Sequence, residues 1–117
     1  MSANKQTVQS YLSASGENDH AALLACLTDD VEWIVPGSFL QMGKPAFEHA
    51  IDDDEFIGTP AIRTDRLTEQ DDVVIAEGWI RRSRKHGGMM IAAFCYVFAM
   101  QDGKIKSLTS YLAELKR

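Results

Sequence analysis

Apolar residues recur every three to four positions in the first half of the chain and every second position in the last half. Val8, Tyr11 and Leu12 share one stripe of residues 4–14, the spacing of an amphipathic helix, and Gly16 is expected to end it. The stretch ENDHAALLACLTDD (17–30) restarts a helix with Leu23, Leu24 and Leu27 as its apolar stripe. Asn18 or Asp19 can cap it, because a short side-chain oxygen accepts a free N–H of the first turn. VEWIV (31–35) predicts a short strand, stopped by Pro36-Gly37. GKPAFEHAIDDDEF (43–56) predicts a third helix: Pro45 suits its first turn, Phe47, Ala50 and Ile51 have the helical spacing, and Gly58 and Pro60 end it.

Four strands are predicted beyond that point. They are AIRTDRLTEQ (61–70), VVIAEGWIRRSR (73–84), MMIAAFCYVFAM (89–100) and IKSLTSYLAEL (105–115). KHGG (85–88) offers glycines for a hairpin turn, and QDGK (101–104) carries Asp-Gly, the strongest short hairpin signal. The predicted order is α-α-β-α-β-β-β-β, an α+β domain with its helices on one face of a curved antiparallel sheet.

Composition adds limits. The chain has 117 residues, 45% hydrophobic and 25% charged, which suits one domain over 1–117 that buries a core without disulfides or a structural metal. A net charge of -5 argues against a nucleic-acid or anionic-membrane surface. RRSRKH (81–86) is basic enough for phosphate, but it reads more simply as a solvated hairpin tip whose charges blunt an edge. Cys26 and Cys95 sit in apolar runs and read as small buried hydrophobes, which fits a reduced, cytoplasmic setting. MSANKQTVQSYL has no apolar run of signal length, and no stretch approaches the roughly 20 apolar residues of a membrane span. His20, His49 and His86 are far apart and carry no metal spacing, and no nucleotide fingerprint occurs; neither metal nor cofactor is expected.

Several strings resemble the nuclear-transport-factor-2-like superfamily, in particular its SnoaL-like and ketosteroid-isomerase-like branch. VQSYLSASGENDHAALLACLTDDVEW is similar to the family's opening, MGKPAFEHAI to its third helix and FAMQDGKIKSLTSYL to its closing hairpin. The resemblance implies a cystatin-like cone: a bent sheet wraps the helices and leaves an apolar cavity open at one end. It also implies homodimers through the outer face of the sheet. Members include isomerases, cyclases, dehydratases, epoxide hydrolases and plain binding or scaffold proteins, so the fold does not fix the chemistry.

Each chemistry makes its own demand. Steroid-type isomerisation needs an aspartate base in the first strand, with a tyrosine and a protonated aspartate as oxyanion donors. By the resemblance Tyr11 matches the tyrosine, Val35 stands at the base and Tyr96 at the aspartate. Glu32 lies three residues before Val35, on the opposite strand face. Epoxide hydrolysis of the limonene type needs an Asp-Arg-Asp set, and Gly78, Ile80 and Ser110 occupy those places. The Arg-x-Asp of Arg63 and Asp65 lies one strand too early. Cyclases need an acid/base in the cavity. His49 and Asp53 share a helix face and could form a His–Asp pair, but an acidic, solvated face explains them too.

Strand alternation sorts the remaining candidates. Phe94, Tyr96 and Phe98 share a face, expected to look into the cone; Glu77, Trp79 and Arg81 share another. A two-residue turn at His86-Gly87 or Gly87-Gly88 brings Trp79 beside Phe94 or Tyr96, whereas a three-residue turn over 86–88 reverses the parity. Glu77 is an acid inside an apolar run. Facing the cavity it would be desolvated and suited to acid/base work; facing outward it would pair with an arginine across the dimer. The expected catalytic set is Glu77, Tyr11 and Tyr96. The expected ligand-contacting set is Trp33, Val35, Phe47, Trp79, Phe94 and Phe98. The sequence leaves two functions open: a binder of a small, largely apolar molecule that catalyses a proton transfer, as an isomerase, cyclase or dehydratase does, or a non-catalytic binding or scaffold protein.

Overall fold

The computed structural model describes residues 2–51 and 55–116. Helix α1 (Ala3–Glu17) starts at Ser2, whose hydroxyl accepts the Lys5 N–H, and ends at Asn18, which takes a left-handed φ of 56°. It therefore runs through Gly16, where an end was expected. The stop comes from Asn18 instead, which tolerates that conformation and lets the Asp19 N–H return 2.8 Å to the Ala14 carbonyl. Asp19 caps α2 (His20–Leu24) by accepting the Ala22 N–H at 3.1 Å.

Helix α2 stops at Leu24, earlier than expected, because the chain next pairs with the C-terminal strand. Strand β1 (Leu27–Val35) already includes the exposed Asp29-Asp30, which lie in a strand and not at a helix end. Strand β2 (Phe39–Met42) follows and pairs antiparallel with β1; the apolar pattern had shown no strand there. Then come α3 (Lys44–Ile51), β3 (Phe56–Gln70), β4 (Val73–Arg84), β5 (Met89–Gln101) and β6 (Lys104–Glu114).

Among the described residues the strands form one sheet in the order β2-β1-β6-β5-β4-β3. The expected α+β architecture holds, and one pairing refines it: β1 runs parallel to β6, while every other neighbour is antiparallel. The β3–β4 register shifts between Ile57 and Ala61 and again between Thr64 and Arg66. Such bulges bend a strand, and Pro60, which has no N–H for the ladder, sits inside the first. The sheet thus curves around α1, whose Val8, Tyr11 and Leu12 are buried.

The turn between β4 and β5 sets which side chains face inward. Ser83 pairs with Met89, and the Arg84 N–H donates 3.0 Å to the Gly88 carbonyl. Lys85, His86 and Gly87 therefore form a three-residue loop, with Gly87 and Gly88 at positive φ. Gly78 then lies opposite Phe94 and Ala76 opposite Tyr96, so even positions of both strands face the helices. Odd positions, Glu77 and Trp79 among them, face outward.

Candidate functional site

The concave face carries a connected set of rings. Trp33 stacks on Phe47 at 4.6 Å between centroids, and Tyr11 meets Phe47 and Phe98 edge to face at 6.4 and 5.4 Å. Tyr96 stacks on Phe94 at 4.3 Å and meets Phe98 edge to face at 6.3 Å. Phe47 and Phe98 are fully buried and fill the base of the cone. Above them is a cavity of about 300 Å³, the size that takes a small ligand.

Tyr11 from α1, Trp33 and Val35 from β1, Ile80 and Arg82 from β4 and Tyr96 from β5 line this cavity. Among the further polar groups that reach it are His20 at the start of α2, Asn18 in the α1–α2 link and Ser110 on β6. Each is held from behind. Trp33 Nε1 donates 3.0 Å to Ser110 Oγ, and His20 Nε2 lies 3.2 Å from Asn18 Oδ1, which accepts its proton. Arg82 lies with its guanidinium carbon 4.7 Å from the Phe56 ring centroid, a cation–π contact.

Both phenols are stabilised in the protonated form. Burial raises the Tyr11 pKa far above the usual phenol range, and the neighbouring Tyr96 and Cys26 raise it further. Burial pushes Tyr96 up to about 12, against the pull of the Arg82 cation. Near neutral pH the cavity therefore presents two phenol O–H groups beside the Arg82 guanidinium, over a lining rich in aromatic and aliphatic side chains.

The expected site residues separate into three groups. Tyr11, Tyr96, Trp33 and Val35 meet at the cavity. Phe47, Phe94 and Phe98 lie beneath it as buried packing that braces those rings. Glu77 and Trp79 are not there: the three-residue turn puts both on the outer face. Glu77 accepts two hydrogen bonds from Arg66, at 2.6 and 2.9 Å, and that partner holds its carboxyl below the usual carboxylate range. This is the opposite of the raised value an acid/base in an apolar cavity would need, and Glu77 is dropped as a catalytic candidate. Trp79 is 38% exposed on that face. His49 is exposed on α3, and Asp53 lies outside the described residues.

Sequence reasoning missed Arg82 and His20. Arg82 was hidden in the basic run 81–86, although its parity with Ile80 marks it as inward. His20 lies beside a helix cap and carried no spacing signal. Among the described residues, no group of three or more His, Cys, Asp or Glu side chains could hold a metal ion, and no Asp or Glu lines the cavity.

The model of the SnoaL-like domain matches residues 8–108, nearly the whole described chain. The chain belongs to the SnoaL-like family. No curated protein matches it significantly. Solved structures similar to it confirm the fold at low identity. An NTF2-like protein of unknown function from Burkholderia pseudomallei superposes with a TM-score of 0.87 at 20% identity, covering 97% of this chain and 92% of its own. TerC co-crystallised with polyporic acid gives a TM-score of 0.87 at 19%, covering 96% and 92%. A putative polyketide cyclase from Xanthomonas campestris gives 0.85 at 23%, covering 93% and 89%.

Within this SnoaL-like fold the positions singled out by the resemblance have a definite place. Val35, Ile80, Tyr96 and Ser110, where the related chemistries would put charged groups, all line the cavity. In this chain they carry an aliphatic, an aliphatic, a phenol and a hydroxyl. Gly78 does not line it. Its Cα is packed so closely on the Arg63 carbonyl that no side chain fits. None of the helices is long and apolar enough to cross a membrane, among the described residues.

Proposed function

We propose that the chain is a single SnoaL-like domain that binds a small, largely apolar molecule in the cavity on its concave face. One observation carries this reading: a cavity of about 300 Å³ lined by Tyr11, Trp33, Val35, Ile80 and Tyr96. The rings and aliphatics supply contact area, and the two protonated phenols orient an oxygen of the ligand. Co-crystallisation of the similar TerC with polyporic acid supports ligand binding in this fold. The test is tryptophan fluorescence in a Trp79→Phe chain, where Trp33 is the remaining indole. A two-ring aromatic ligand is expected to quench it saturably; a linear, unsaturable response contradicts the reading.

A second reading adds proton transfer in the same cavity, as in an isomerase, cyclase or dehydratase. It is favoured by His20, an imidazole among the lining residues whose Nε2–H is fixed by Asn18. Turnover abolished in His20→Gln with binding retained supports it; unchanged turnover contradicts it.

The proposal also includes a homodimer. Leu40, Met42, Trp79 and Tyr111 expose large apolar surface at outward positions of the sheet, and a second copy covers such a face most simply.

A further inference from the structure

We infer that the ligand carries a carboxylate, and that the Arg82 guanidinium holds it. This rests on the reading of the cavity as a binding site. Arg82 stands on β4 two residues after Ile80 and shares its concave face. Its Nε is buried and has no hydrogen-bond partner. Three other arginines of β3 and β4 are ion-paired: Arg84 holds Glu114 at 2.6 Å, Arg66 holds Glu77 and Arg63 holds Asp65 at 3.0 Å, while Arg81 is exposed. Buried donors are nearly always satisfied, so an unpaired one on a residue that lines the cavity points to a partner supplied from outside the chain.

The chemistry of that partner follows from the donor. Nε–H and the neighbouring Nη–H leave one edge of a planar guanidinium in parallel, and the two oxygens of a carboxylate match them. Phe56 lies against the guanidinium, 4.7 Å from its carbon, so the donors left for a ligand are the in-plane N–H groups. Tyr96 lines the same cavity and offers its phenol O–H as a further donor. Much of the rest of the lining, Trp33, Met90, Ile80 and Leu112 among it, is apolar. The preferred ligand is thus an apolar, ring-sized body with a single carboxylate.

The experiment is isothermal titration of the full chain near neutral pH with two probes of one shape, naphthalene-carboxylate and naphthalene-methanol. The carboxylate is expected to bind about 10- to 100-fold more tightly, the range of a hydrogen bond to a charged group. Arg82→Met should erase that preference, and Arg82→Lys should restore only part of it. Equal affinities in the wild-type chain overturn the carboxylate but leave the cavity reading standing. Binding of neither probe overturns both. A preference that survives in Arg82→Met overturns the role of Arg82, and tighter binding of naphthyl phosphate than of the carboxylate overturns the ligand class.

Discussion

Trp33 Nε1 donates 3.0 Å to Ser110 Oγ, joining β1 to β6 at the cavity wall. The two strands run parallel here, with Trp33 opposite Leu108, so the indole reaches along β6 to a hydroxyl that is only 4% exposed. The bond fixes the ring that stacks on Phe47 and faces the ligand space.

Ser110→Ala leaves that indole N–H without its acceptor. The cost expected for an orphaned, partly buried donor is about 1–3 kcal/mol, roughly 3–15 °C of Tm in a chain of this size. Thermal unfolding followed by circular dichroism checks it. The same variant should also alter the emission of Trp33, since the indole loses its polar partner. Unchanged Tm and emission contradict the role assigned to the bond.

Gly78→Ala is expected to be worse than its one carbon suggests. The added Cβ would overlap the Arg63 carbonyl and stand 3.0 Å from Phe94 Cζ. The carbonyl belongs to the backbone beside the bulge and cannot turn away, so the β3–β4 pair must separate locally. Overpacking of this kind costs about 1–3 kcal/mol. A denaturant melt with an unaltered midpoint would refute the close packing.

Glu77→Gln leaves ligand binding unchanged, because the carboxyl is on the outer face. Its effect is on acid stability. Arg66 lowers the folded pKa of Glu77 below its unfolded value, so the pair stabilises the fold above the ordinary carboxylate range. That contribution is lost as pH falls through the lowered value. The wild-type chain should therefore lose slightly more stability on acidification than Glu77→Gln, and salt should shrink the difference, since both side chains are solvent-accessible. Denaturant midpoints across an acid series, at low and high salt, measure both effects.

Tyr96 acts at the other end of the pH scale. Its pKa rises from 10.0 to about 12 on burial, so its contribution is complete below the unfolded value. It declines as pH rises from there to about 12. Tyr96→Phe keeps the ring stacked on Phe94 and removes the titration. The variant should show a flatter loss of stability in alkali than the wild-type chain, measured by denaturant midpoints on the alkaline side.

The strands were legible because period-two alternation and Asp-Gly are local signals. Asp102-Gly103 does make the tight β5–β6 turn between Gln101 and Lys104. Strand β2 was not legible: four residues are too few to alternate visibly, and their pairing depends on β1, a tertiary partner. The misplacement of Glu77 and Trp79 has one cause. Two adjacent glycines tolerate positive φ at 87 and 88, so both turn lengths were possible, and one residue of turn exchanges every face. The same parity concealed Arg82, whose neighbours Arg81 and Arg84 are solvated or paired outside the cavity. Tyr11, Val35 and Tyr96 were legible through the resemblance, which matched each to a site position, and strand alternation put Trp33 on the face of Val35, independent of that turn.

The central claim, a ligand seated on the concave face, is tested most directly by the two indole N–H resonances during titration with naphthalene-carboxylate. Trp33 lines the cavity and Trp79 lies on the outer face. The account predicts that the Trp33 resonance shifts progressively to saturation while that of Trp79 stays in place. A shift of Trp79 alone, or of neither, would contradict it.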